Sequence, residues 1–415
     1  MITNIRINGF KSFLDFELDV PPFLALVGPN ASGKSNLFDA LALVADVVQH
    51  GPQRALTLQP RGSALDMFHR FEDGSSLDQL TIAVTALVEP GFGRTGALPM
   101  ECTLVLDKSG EYPQVIEGRL RVIPRIEYGS LGEAVANGHW SLLAVTGVAG
   151  GHIDYADDDA EPEAEWADFS LVADHSSNSI LLELFRLECA TWRPYALEPR
   201  VMRLPVSAPD RGPLSLDGRN LAAVLHRLDR EKVLWRLEAD LAALIPGLRE
   251  IKPLLDERRQ EFDFDAVFAG VGSVLPRVLS DGTLRALALL AAAHDPGFRG
   301  VLAVEEVENG FHPGRVAELV RRLTRDLADL GEGEEAHGLR QVLLTSHSPA
   351  LVAALWAEHS AGLRFVDVVT RIDGPGHRTS RVTRVLPVRE DAEPGAAATP
   401  WDVERFLATV REGDL

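Results

Sequence analysis

The sequence predicts an α/β protein, a mixed sheet flanked by helices with an α+β insertion, and three observations carry that reading. A buried strand, Phe23–Val27, runs into a glycine-rich loop and then a helix with apolar residues at Leu37, Ala40, Leu41, Val44 and Val48. Strand and helix patterns alternate again over residues 262–385. The 415 residues exceed one ordinary domain and suit one large α/β domain with a sizeable insertion, or two to three domains.

Along the chain, residues 2–20 alternate apolar and polar in IRINGF and FELDV, two short strands with turns at Asn8-Gly9 and near Leu14-Asp15. Residues 79–126 are strand-rich, with a turn at Lys108-Ser109-Gly110. Residues 127–178 change character and hold an acidic run over 154–168, expected to be a solvated, mobile loop. Helical patterns follow over 179–189 and 220–245; the second is long, amphipathic and ended by Pro246. It is too short for a long coiled-coil arm. The tail reads as a linker before Trp401 and a short closing helix. The expected divisions are an N-terminal lobe over 1–126, an inserted, mostly helical or irregular segment over 127–260, a C-terminal lobe over 261–390, and a linker with a short helix over 391–415.

Composition narrows the function. The longest apolar stretch, near residues 284–293, is far short of the roughly 20 residues that span a bilayer. No early segment has signal-peptide order. The expectation is a cytoplasmic protein with no membrane partner. A formal net charge of −20 argues against a chain coated in positive charge for nucleic acid. A local basic groove stays open: Arg119 and Arg121 share a face of a predicted strand with Arg125 just beyond, and Arg315, Arg321, Arg322 and Arg325 share a predicted helix. Either group supplies phosphate contacts or an ion-paired, solvated face. Cys102 and Cys189 lack metal-type spacing and read as buried bystanders.

Four motifs carry chemistry. GPNASGKS at residues 28–35 matches the phosphate-loop pattern G-x-x-x-x-G-K-[ST] in full, with a strand before it and a helix after. Gly28 and Gly33 let backbone N–H groups approach phosphate oxygens, and the helix start adds its positive dipole end. Lys34 places a charge on the β- and γ-phosphates of ATP, and Ser35 offers a hydroxyl to Mg2+. Asn30, Ser32 and Asn36 complete the expected nucleotide-binding set. VLAVEE at residues 301–306 is a buried strand ending in two carboxylates. Alternation turns them to opposite faces, so Glu305 is expected to hold the metal and Glu306 to activate the attacking water. Most phosphate-loop enzymes have Asp where Glu305 stands. LSDGTLR at residues 279–285 caps a helix about 20 residues before that strand. Ser280, Gly282 and the helix N-terminus make a second γ-phosphate receptor. VLLTSHSP at residues 342–349 ends a strand in His347, expected to donate to the γ-phosphate or to the water. ENGFHP at residues 308–313 demands a turn at Asn309-Gly310.

Together IRINGFKSF, GPNASGKSN, LSDGTLR, VEEVENGFHP and TSHSP resemble the ABC-type ATPase heads of the SMC, RecF and overcoming-lysogenization-defect group, most of all stand-alone bacterial AAA family ATPases. LEPRVMRLP and LSLDGRNLAAVL look like the middle part of those proteins. The resemblance implies an ABC-ATPase head that dimerises on ATP, Ser280 and Gly282 of one copy facing the γ-phosphate held by Lys34 of the other. It implies that hydrolysis at Glu306 opens the dimer. It also implies a glutamine loop on Mg2+, for which Gln59, Gln79 and Gln114 are all candidates. No Toprim nuclease domain is expected after His347, so a nuclease or other effector would act in trans, with DNA a further possible partner, in genome maintenance or antiphage defence. The alternatives are a transport-type ATPase subunit and an ATP-dependent scaffold with little hydrolysis.

Overall fold

The computed structural model describes residues 1–58, 62–89, 97–110, 112–123, 143–149, 152–157, 168–171, 180–208, 210–328, 340–373, 378–390 and 397–413. Its centre is a five-stranded mixed sheet of β3 (Phe23–Val27), β14 (Gly300–Val304), β15 (Arg340–Ser346), β16 (Leu363–Asp373) and β17 (Arg378–Pro387), in the order β14-β15-β3-β16-β17. The first four are parallel and β17 returns antiparallel. Parallel strands covered on both faces need continuous apolar runs. All five residues of β3 are buried: Phe23, Ala25 and Val27 enter one core, Leu24 and Leu26 the other. The same split divides Leu302 and Val304 from Val301 and Ala303 in β14. The sheet therefore separates two cores.

One core lies between this sheet and a six-stranded antiparallel sheet in the order β2-β1-β4-β5-β6-β9, comprising β1 (Ile2–Asn8), β2 (Phe16–Asp19), β4 (Gln79–Val88), β5 (Leu98–Asp107), β6 (Gln114–Val122) and β9 (Asp168–Ser170). Helix α1 (Lys34–His50) is buried in it, with α2 (Pro52–Thr57) following and α3 (Ile180–Cys189) packed alongside. Cys102 and Cys189 both lie in this core, where burial pushes their thiols up. The other core holds α4 (Pro199–Met202), α5 (Leu221–Arg230), α6 (Leu234–Leu244), α7 (Asp281–His294) and α8 (Pro313–Ala328). A four-stranded antiparallel sheet of β10 (Val206–Ser207), β11 (Leu248–Asp256), β12 (Glu261–Phe268) and β13 (Gly272–Val274) flanks it. Helices α9 (Pro349–His359) and α10 (Pro400–Gly413) close the chain's last third. Among the described residues no helix is long and apolar enough to cross a membrane, and the longest, α1, has 17 residues.

Two expectations need correction. The helical stretch over 220–245 breaks in two, because Lys232 takes a positive φ of 59° and the Val233 N–H turns back to the Leu228 carbonyl. That is the left-handed helix stop usually built on glycine. Part of the acidic run is strand: β8 (His152–Asp157) pairs with β7 (Leu143–Ala149), and Asp168 opens β9 beside Arg121; residues 158–167 lie outside the described residues.

Of the two readings left open for the arginines, the ion-paired one holds for four of them. Arg121 sits 3.0 Å from Glu101, which takes Arg6 as well. Arg321 pairs with Glu318, and Arg322 and Arg325 reach the buried Asp240 at 2.6 and 2.9 Å. Burial opposes ionisation of Asp240, but hydrogen bonds from His294 and Arg322 hold its carboxyl down at about 2. Arg322 and Arg325 thereby tie α8 to α6. Arg125 lies outside the described residues.

Candidate functional site

Ligands of open α/β sheets bind beyond the carboxyl ends of the parallel strands. Here β3 ends at Val27 before Gly28, β14 at Val304 before Glu305, and β15 at Ser346 before His347. The register sets Val27 beside Ser346, and Leu344 beside Val304. Three motifs far apart in sequence thus end side by side.

The loop at residues 28–35 is locked from several sides. The Gly28 N–H donates to the Ser346 carbonyl at 3.2 Å. A Cβ on Gly28 would overlap the Val366 carbonyl oxygen, and one on Gly33 would overlap the Thr383 hydroxyl. Gly33 also has φ +98°, which glycine adopts without strain. Thr383 Oγ1 donates to the Ser32 carbonyl at 2.9 Å and meets Ser12 Oγ at 2.6 Å, while Asn36 Nδ2 donates to Ser12 Oγ at 2.8 Å. The FKSF segment and β17 therefore clamp the start of α1. Asn30 is exposed at the loop tip, Ser32 is buried, and Ser35 is half-buried.

Lys34 is buried and donates to the Gly28 and Pro29 carbonyls at 2.7 and 2.6 Å. Burial pushes its ammonium down to about 8, opposed by the negative charges of Glu306, Glu308 and Glu305. All three carboxylates of VEEVE thus surround one lysine.

Glu306 has a positive φ of 48°, rare for a side-chain-bearing residue and a form of strain found at functional positions. Its N–H donates to Thr345 Oγ1 at 2.9 Å, and its Oε2 accepts from Asn309 Nδ2 at 2.6 Å. Glu308 Oε1 accepts from the His347 N–H at 2.8 Å and lies 3.1 Å from His347 Nδ1. Glu308 Oε2 is buried and accepts no hydrogen bond. A buried carboxylate oxygen in that condition suits a site that receives a cation. The Ser35 hydroxyl and the Glu305 carboxylate are hard oxygen donors of the kind Mg2+ takes, so the residues present fit ATP with Mg2+.

Ser280 and Gly282 stand at the start of a different helix. Ser280 is the exposed N-cap of α7; its Oγ accepts from the Thr283 N–H at 3.1 Å and meets Thr283 Oγ1 at 2.8 Å. Gly282 packs on the turn that follows Glu306, where a Cβ would overlap the Gly310 carbonyl oxygen. Gly310 itself has φ +82°, as the Asn309-Gly310 pair required. Of the glutamine candidates, Gln79 and Gln114 are exposed at the starts of β4 and β6, and Gln59 lies outside the described residues.

Sequence reasoning missed Ser12, Thr345 and Thr383 as parts of the site, and Glu308 as the holder of His347. Ser12 and Thr345 stand inside motifs already singled out. Thr383 carries no sequence signal at all.

A family model described as "AAA domain, putative AbiEii toxin, Type IV TA system" matches residues 23–128 and 205–353. A 44-residue stretch, 10% of the chain, is 50% identical to the chromosome partition protein Smc of Methanocaldococcus jannaschii, and covers 4% of that protein. A 75-residue stretch, 17% of the chain, is 40% identical to structural maintenance of chromosomes protein 1 of Arabidopsis thaliana, and covers 6% of it. The chain thus matches only a small part of these relatives' length. Among solved structures, an SmcHead bound to the C-winged helix domain of ScpA superposes with a TM-score of 0.50 at 14% identity, covering 93% of this chain and 98% of that one. That likeness gives the fold, an ABC-type ATPase head.

Proposed function

The chain belongs to this AAA-domain family, and from that premise we propose that it hydrolyses ATP at a site completed by a second copy of itself. The observation that carries the proposal is the convergence of Lys34, Glu305, Glu306, Glu308 and His347 at the ends of three adjacent strands.

The triphosphate binds along the backbone N–H groups of residues 30–35, and Lys34 exchanges its two loop carbonyls for phosphate oxygens. Ser35 and Glu305 hold Mg2+, which when bound neutralises charge on the β- and γ-phosphate oxygens. Glu306 accepts a proton from the attacking water as the water oxygen bonds to the γ-phosphorus. The bond to the β-phosphate oxygen breaks, giving ADP and inorganic phosphate. Asn309 and Thr345 hold the Glu306 carboxylate and backbone in place. Glu308 favours the proton on His347 Nδ1 and leaves Nε2 for the γ-phosphate. Ser280 lies exposed on a separate helix start, so its hydroxyl serves the nucleotide of a partner copy.

The role is that of a nucleotide-driven switch for an effector protein. Of the arginines that could touch DNA, Arg121, Arg321, Arg322 and Arg325 are engaged by Glu101, Glu318 and Asp240, which favours a protein partner over DNA at those positions. A Glu306→Gln variant tests the proposal: it should bind ATP, form a stable dimer with it and lose turnover. A wild-type chain that releases no phosphate from ATP under any condition contradicts the enzyme reading.

A further inference from the structure

Ser280 is flanked by two groups that unsettle it as a receptor for anions. The Leu279 carbonyl before it precedes the first helical turn, and the Asp281 side chain after it is 66% exposed. A carboxylate one residue from Ser280 repels an approaching phosphate. One side chain answers both. Arg203 Nη2 donates to the Leu279 carbonyl at 2.9 Å and to Asp281 Oδ1 at 2.6 Å. Arg203 follows directly on α4, whose Pro199 and Met202 are buried, and its own side chain is only 20% exposed. The guanidinium is therefore delivered from an anchored turn to the two residues on either side of the serine.

We propose that Arg203 is a positioning residue of the composite site: it fixes the turn that presents Ser280 and cancels the charge of Asp281, so that the partner copy's γ-phosphate can approach. A role in folding alone explains this arrangement poorly. An ion pair with so exposed a partner contributes little to stability, and although Leu279 is a core residue, the guanidinium meets only its backbone carbonyl, beside the exposed serine. The charge logic is specific. Removing the arginine leaves an uncompensated carboxylate beside the phosphate, whereas removing both charges leaves a neutral turn.

This rests on the composite site proposed above, and the experiment separates the two. In a Glu306→Gln background, ATP-induced dimerisation is followed by analytical ultracentrifugation, with ATP binding and melting temperature measured in parallel. Arg203→Gln is expected to weaken dimerisation about tenfold, a charge effect at an interface, while ATP binding to the monomer stays within about twofold. Adding Asp281→Asn is expected to restore most of the loss, a coupling that a double-mutant cycle reads directly. Asp281→Asn alone, with Arg203 intact, is expected to dimerise as tightly as the parent or more tightly, and it serves if Arg203→Gln lowers the melting temperature. Unchanged dimerisation in Arg203→Gln, no rescue in the double variant, or weaker dimerisation in Asp281→Asn each overturns the assignment of Arg203. A Glu306→Gln parent that stays monomeric with ATP overturns the composite site itself.

Discussion

Gly33 and Gly282 each stand at the start of a helix, and each is packed so closely that a Cβ would overlap a neighbour. Their neighbours differ. Gly33 is pressed on Thr383 of β17 and Ser12 of the turn after β1, which enclose the loop beside a buried Lys34. Gly282 is pressed on Gly310, part of the exposed turn after Glu306, and the serine beside it faces solvent. The first receptor is finished by its own chain. The second is held in shape by Arg203 and Gly310 but left open, which is the form needed by a group that acts on another molecule. The Gly282–Gly310 contact joins the turn after Glu306 to the helix start that carries Ser280, which under the proposed function would link the two nucleotides mechanically.

Four substitutions and one condition break or sharpen this contrast. The largest effect is expected for Glu306→Gln, which should lower kcat by about a thousandfold, as loss of a general base does, with ATP affinity nearly unchanged; phosphate release and equilibrium binding check both halves. Next, Gly33→Ala combines a left-handed φ with the Thr383 overlap, and should cost about 2–3 kcal/mol of stability and abolish ATP binding. Gly282→Ala lacks the left-handed strain but meets the Gly310 backbone carbonyl, so the turn itself must move; it should cost about 1–2 kcal/mol and lose turnover while retaining ATP binding. Equal effects of the two in thermal unfolding and binding would erase the distinction. Glu308→Gln should lower kcat about tenfold by loosening His347, without changing ATP affinity.

The smallest expected effect is a pH dependence confined to the enclosed receptor. Charged Lys34 binds the triphosphate, and its ammonium in the free protein loses its proton near pH 8 rather than at the ordinary 10.5. ATP affinity is therefore full well below pH 8 and falls as pH rises through it, by about fourfold between pH 7 and pH 8.5. Titration calorimetry across that range checks the sign; an affinity flat to pH 9.5 would deny that burial lowers the Lys34 ammonium.

The enclosed receptor was legible in the sequence because its requirements are local. One strand, eight loop residues and one helix stand next to each other, and each residue type answers a need of a bound phosphate. The glutamate pair and His347 were legible as strand ends. What was not legible depends on contacts across long spans: His347 to Glu308 across 39 residues, Asp281 to Arg203 across 78, Ser12 to Thr383 across 371. Gly282 shows the same limit. Its spacing pointed to close approach by a nucleotide, whereas the structure shows a second reason, the Gly310 carbonyl of its own chain. The stretch over 220–245 misled because Lys232 occupies a left-handed position that sequence habit reserves for glycine. The sequence left the arginines of α8 open between phosphate contacts and an ion-paired face, because Asp240, which engages two of them, lies on another helix.

The most direct measurement is complementation between two inactive chains. Lys34→Ala leaves Ser280 intact but holds no triphosphate, and Ser280→Arg holds ATP but presents no serine. Mixed in equal amounts, the two can assemble one intact composite site per mixed dimer. Recovery of ATP hydrolysis on mixing, from variants each inactive alone, is the predicted result. A mixture as inactive as its components, with both chains folded and with Ser280→Arg binding ATP, would contradict a site shared between two copies.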